Sequence, residues 1–131
     1  MAAWVPTPPK LHSFARAGRG PVVFSSCSHA GIVNVSRHVA SLSLASGGPS
    51  QLLGIVGGFH LSGRECEPRI EQTVTDLLPL LGQRSGGVVL AGHCTGWRAL
   101  HALATAYGER VSQSAVGTSY LFDADAPPAT A

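Results

Sequence analysis

Charge is scarce in this sequence. Charged side chains make up 12% of its 131 residues, about half the share of an average soluble domain. Lys10 is the single lysine, and the arginines are scattered without a run; the net charge is +2. Such a distribution leaves no electrostatic footprint for nucleic acid, and no nucleic-acid partner is expected. Long apolar runs are also missing. No stretch approaches about 20 unbroken apolar residues, so neither a membrane span nor a membrane partner is expected. The opening "MAAWVPTPPKLHSFARAGRG" has no apolar segment ahead of a cleavage site and does not read as a secretory signal. Cysteine is sparse and odd in number: Cys27, Cys66 and Cys94. Irregular spacing of three thiols excludes a disulfide framework and fits a reducing, cytoplasmic setting. No solenoid-type repeat is present.

What is there is apolar and regularly punctuated. Hydrophobic residues reach 44%, enough for one globular domain around one core. Residues 1–20, rich in Pro, Gly and basic side chains, read as an irregular arm, and residues 123–131 as a tail. Between them, 21–122 alternate in type. "PVVFSS" (21–26), "QLLGIVGG" (51–58) and "GGVVLAG" (86–92) are strand-like apolar runs. Ile32, Val35, Val39 and Leu42 lie on one helical face of 31–45, and Gly47-Gly48-Pro49 stops that helix. Ile70, Val74, Leu77, Leu78 and Leu81 mark a second helix within 67–83, with Pro68 in its first turn. Trp97, Leu100, Ala104 and Tyr107 align along a third, within 96–110. Residues 111–122 supply one or two closing strands. The expected class is α/β, in the order β-α-β-α-β-α-β.

The polar residues gather where strands end. "SSCSHAG" (25–31), "GGFHLSG" (57–63) and "LAGHCTG" (90–96) each place a histidine among small residues just after a strand. In open α/β sheets, ligand chemistry collects beyond the carboxyl ends of the strands. His29, His60 and His93 are therefore candidate metal ligands, since neutral imidazole is the commonest protein ligand for zinc-like ions. His38 and His101 lie inside helices and His12 in the arm; these read as structural or exposed. Gly92-His93-Cys94-Thr95-Gly96 also has the form of a nucleophile elbow, in which the helix N-terminus would lower the thiol pKa. A thiol hydrolase acting through Cys94 is the alternative reading. Against it, the only histidine downstream is His101, about two turns along the same helix, where it cannot reach the thiol as a base.

Taken together, "CSHAGIVN" (27–34), "GGFHL" (57–61) and "GHCTG" (92–96), in this order with helices between, resemble the second half of metallo-β-lactamase-fold hydrolases. The resemblance is to the branch that includes the dihydropterin-type ribofuranosylaminobenzene phosphate synthases, and covers roughly residues 19–118. It implies part of a four-layer αββα sandwich with a metal site at one edge. His29 and His93 would bind a divalent metal, zinc or manganese, with His60 as ligand or substrate contact. Ser28, Cys94 and Thr95 would support the imidazoles from behind. The implied activity is metal-assisted hydrolysis or transfer on a small phosphorylated or ester-like substrate. The His-x-His-x-Asp-His motif of that family's first half does not occur here. The sequence is accordingly expected to be a truncated, split or degenerate form. One apolar sheet face would then lack cover. A homo-oligomer, a complementary N-terminal-half chain, or a non-catalytic partner-binding remnant would follow from that.

Overall fold

In the computed structural model, which describes residues 12–17, 19–83 and 86–122, the apolar runs pair side by side. Strand β1 is His12–Ala17, β2 Gly20–Ser25, β3 Gly54–Gly57, β4 Val88–Ala91 and β5 Val111–Gln113. Their spatial order equals their chain order. β2 to β5 are parallel and β1 is antiparallel at the edge. Helices α1 (Ile32–Ala45), α2 (Ile70–Leu77) and α3 (Trp97–Tyr107) fill the three crossovers. The protein is thus α/β, with four parallel strands and three helices among the described residues. No helix among them is long and apolar enough to cross a membrane.

Sequential strand order has a consequence for layering. Right-handed crossovers that always step in the same direction put every helix on the same face. Helices α1 and α2 touch, as do α2 and α3. The register aligns Val23, Ile55 and Val89 across the sheet, and all three are fully buried in the core beneath the helices. Alternate residues point the other way. Val22 and Leu90 are buried but stand outside that core, while Phe24 on the same side is 39% exposed. This second face is covered in part by the chain's own later segment. A Cβ added at Gly54 would lie 2.6 Å from the Phe122 ring, so the ring rests directly on the sheet there.

Three readings from the sequence are revised. The arm is not irregular throughout: His12–Ala17 pairs with β2 over its whole length. Such pairing is made by backbone groups, so the Pro- and Gly-rich flanks gave no side-chain signal for it. Residues 1–11 and the tail 123–131 lie outside the described residues. On α1 the buried stripe runs through Ile32, Val35, Ser36, Val39, Ala40 and Ser43, leaving Leu42 at 38% exposure. A hydroxyl can take that inward place because Ser43 Oγ donates to the Pro49 carbonyl at 2.6 Å. On α3 the buried stripe is Ala99, Leu103 and Tyr107. Trp97 is 73% exposed and lies beneath the Arg98 guanidinium, 5.4 Å from its ring centre. Tyr107 is common to both stripes, and the fully buried Ala99 and Leu103, about two turns and one turn before it, define the inward face.

Tyr107 fastens α3 to α2, since its hydroxyl donates to the Val74 carbonyl. Burial is the main cause that pushes its phenol from 10.0 up to about 12; Asp76 adds to the rise and Arg110 opposes it. The folded protein therefore keeps this proton when the unfolded chain has lost it. Stability is expected to hold up to about pH 10 and to fall as pH rises from there toward 12. The loss from this group is about 2–3 kcal/mol. Urea unfolding across that range, in the wild type and in Tyr107→Phe, checks it: the fall should be shallower in the variant by that amount. Parallel curves would remove Tyr107 from the account.

Candidate functional site

Beyond the carboxyl ends of β2, β3 and β4 the backbone ladder continues for one more rung. Gly58 N donates to the Ser26 carbonyl at 2.8 Å and Gly92 N to the Gly57 carbonyl at 2.7 Å. The three loops are thereby held in line with the strands. Side chains and amides then tie them to one another. Ser28 Oγ donates to the Gly58 carbonyl at 2.6 Å and lies 2.7 Å from Ser25 Oγ. Phe59 N donates to Thr95 Oγ1 at 3.2 Å. Leu61 N and Ser62 N both donate to the Cys94 carbonyl. Ser28 and Thr95 are buried.

Two residues in this frame have left-handed backbones without being glycine: Ser28 at φ 55° and His60 at φ 52°. Each such residue costs on the order of 1–3 kcal/mol, and the strain persists only where surrounding bonds hold it. It changes what the loops present. Either side of Ser28, Cys27 meets His93 while His29 meets His60. Cys27 Sγ is 3.0 Å from His93 Nε2. The His29 and His60 rings pack against each other at 4.5 Å between centres, tilted by 55°.

The result is a donor cluster beside an imidazole pair. The ligand atoms of Cys27, His93 and Cys94 all lie within 4.8 Å of one another. His93 is exposed and both thiols are half-buried. Of the three imidazoles expected to share an ion, His93 belongs to this group; His29 and His60 stand outside it, paired with each other. Cys94, expected in a supporting role, supplies a donor atom itself, and Cys27 enters as a donor that the sequence reading treated only as a small neighbour. The available signal was position alone: Cys27 and Cys94 occupy the same strand-end loops as the histidines.

The thiol of Cys94 is not electrostatically activated by the side chains and backbone around it. Burial raises its pKa above 9.0, more than the hydrogen bond from His60 N lowers it, and the nearby Cys27 thiol raises it further. The helix that would have lowered it begins only at Trp97, beyond Gly96. His101 is exposed on α3, as the sequence implied.

The group passes a chemical test for a metal. Zinc bonds of about 2.0–2.3 Å at tetrahedral angles place nitrogen and sulfur donors roughly 3.6–3.8 Å apart. The present separations need only small side-chain movements to reach that. Space is available because Gly58 has no side chain: a Cβ there would lie 2.6 Å from both Cys94 Sγ and His93 Cε1. Two thiols and one imidazole are a soft donor set.

The imidazole pair opens onto a cleft of about 310 Å³ between α1 and α2. Ser28, His29, Asn34, Arg37, His60 and Asp76 are among its walls. Arg37 and Asp76 face each other across it at 3.5 Å. The cleft adjoins the donor cluster through His60, whose backbone N–H donates to Cys94 Sγ at 3.3 Å.

No family model matches the chain. One curated protein is similar to it at 35% identity over 81 residues: the 7,8-dihydropterin-6-methyl-4-(beta-D-ribofuranosyl)-aminobenzene-5'-phosphate synthase of Methanocaldococcus jannaschii. The aligned part is 62% of this chain but 24% of that protein, so the chain spans about a quarter of its relative's length.

Proposed function

We propose that this chain is a metal-dependent hydrolase or group-transfer domain of metallo-β-lactamase type, acting on a small phosphorylated or ester-like molecule. The observation that carries the reading is the convergence of Cys27, His93 and Cys94 at the strand ends, beside a polar cleft. The partial similarity to a phosphate synthase supports the same substrate class. Helices on one sheet face, with an apolar opposite face, are what one half of an αββα sandwich presents.

Cys27, His93 and Cys94 would hold one divalent metal, with zinc favoured over manganese by the two thiolates. When bound, such an ion supplies Lewis-acid polarisation of a phosphoryl or carbonyl oxygen. The remaining tasks fall to the chain itself. His29 and His60 line the cleft, where an imidazole can act as a general acid or base toward a bound substrate. Arg37, 56% exposed in its side chain and pairing with Asp76, offers a cationic group that can turn toward an anionic substrate. Ser28 and Thr95 hold the loops in register from beneath.

Zinc titration of the purified chain against a chromophoric chelator tests the assignment. One ion per chain is expected, with affinity reduced about 100-fold in His93→Ala and unchanged in His101→Ala. Absence of one-to-one binding, or equal binding by wild type and His93→Ala, would overturn it. His29→Ala belongs in the same series. A loss equal to that of His93→Ala puts His29 on the ion, and unchanged affinity leaves it to the cleft.

A further inference from the structure

We infer that the site also carries a redox modification: Cys27 and Cys94 close a reversible disulfide that is mutually exclusive with metal binding. The inference builds on the donor cluster of the preceding reading, but closure of the bond itself requires no metal. The two Sγ atoms lie within 4.8 Å of each other. Cys94 Sγ is directed at Cys27, 3.6 Å from its carbonyl oxygen. A disulfide needs an S–S distance of about 2.05 Å, so side-chain rotation must close the rest. Both thiols are half-buried, which leaves a path for a small oxidant. The missing Cβ at Gly58 keeps the space between the loops open.

The third cysteine shows the contrast. Cys66 is buried, hydrogen-bonded by Arg69 Nη2 at 3.0 Å, and outside the cluster. It has no thiol partner there and serves as an internal reference.

The oxidant is a peroxide. Cys27 Sγ attacks one peroxide oxygen; an S–O bond forms and the O–O bond breaks. The thiol proton passes to His93 Nε2, 3.0 Å away, and leaves with the departing hydroxide as water. Cys94 Sγ then attacks the sulfenic sulfur of Cys27. The S–S bond forms, the S–O bond breaks, and the released hydroxide takes the Cys94 proton as a second water. Two thiols are oxidised by two electrons in total, and one peroxide is reduced to two waters. The product has lost two of the three donors, leaving His93 alone.

The test uses the full chain stripped of metal with a chelator and exposed to hydrogen peroxide. Free thiols are then alkylated and the peptides mapped by mass spectrometry. A peptide pair joined through Cys27 and Cys94 is expected, with Cys66 alkylated, reversal by dithiothreitol, and no such pair in Cys27→Ser. Zinc at saturation should slow closure roughly tenfold or more, because a coordinated thiolate is withdrawn from attack. The oxidised chain should not bind zinc. Separate sulfinic acids without a joined pair, or joining that involves Cys66 equally, overturns the inference. If zinc still binds the reduced chain in that case, the metal site stands alone. A joined pair in a chain that never binds zinc has the opposite meaning: the disulfide stands and the metal reading falls.

Discussion

Gly57→Ala is expected to leave no folded protein. Gly57 ends β3 at φ 142°, a conformation that L side chains rarely adopt. A Cβ there would lie 1.8 Å from the Ser25 carbonyl oxygen and 2.8 Å from its carbon. Those atoms are backbone of β2, and Ser25 is the register partner of Gly57. Relief therefore requires separating the central strand pair rather than rotating a side chain. The expected loss exceeds about 4 kcal/mol, in the range reserved for core disruption. That is a large share of the roughly 5–15 kcal/mol that holds an ordinary domain folded. Soluble yield and circular dichroism melting measure it. A folded variant melting within a few degrees of wild type would show that β2 and β3 are not paired as described.

The next residue predicts the opposite separation of effects. Gly58→Ala should fold and lose the metal binding proposed for the Cys27, His93 and Cys94 group. Gly58 lies outside the left-handed region, so alanine meets no backbone penalty there. Its Cβ would meet Cys94 Sγ, His93 Cε1 and His93 Nε2 within 2.9 Å. All three are side-chain atoms near a solvent-facing rim, and they can move aside. Moving aside takes two of three donors out of place. At roughly 30-fold for each of the two displaced donors, zinc affinity should fall on the order of 10³-fold, beyond the effect of His93→Ala. The melting temperature of the metal-free protein should change by only a few degrees. Parallel zinc titrations and melts decide it; wild-type affinity in Gly58→Ala would mean that the ion, if bound, is held elsewhere.

Much of the frame was legible in the residue pattern. The apolar runs, the proline at the start of 67–83 and the glycines after each strand located the strands and helices. They did so because burial imposes periods that each element repeats locally. Which stripe of α3 turns inward was not legible. Trp97-Leu100-Ala104-Tyr107 and Ala99-Leu103-Tyr107 are both acceptable helical faces that share Tyr107, and the packing of Ala99 and Leu103 into the core selected the second. Strand β1 was hidden for a related reason, since an edge strand is held by backbone bonds that any composition can make.

The site divides in the same way. The chain order and loop composition determined that polar chemistry sits beyond β2, β3 and β4, because parallel strands joined by helices bring their carboxyl ends to one rim. Which imidazole meets which partner was decided only in three dimensions. The left-handed turns at Ser28 and His60 aim neighbouring side chains at different partners. Contacts between loops far apart in sequence hold those turns: Ser28 to Gly58, and His60 to Cys94. Backbone angles of that kind are imposed by surrounding structure rather than by the residue that adopts them. The composition of the loops therefore brought polar side chains to one rim, and the tertiary bonds between the loops decided which of them meet.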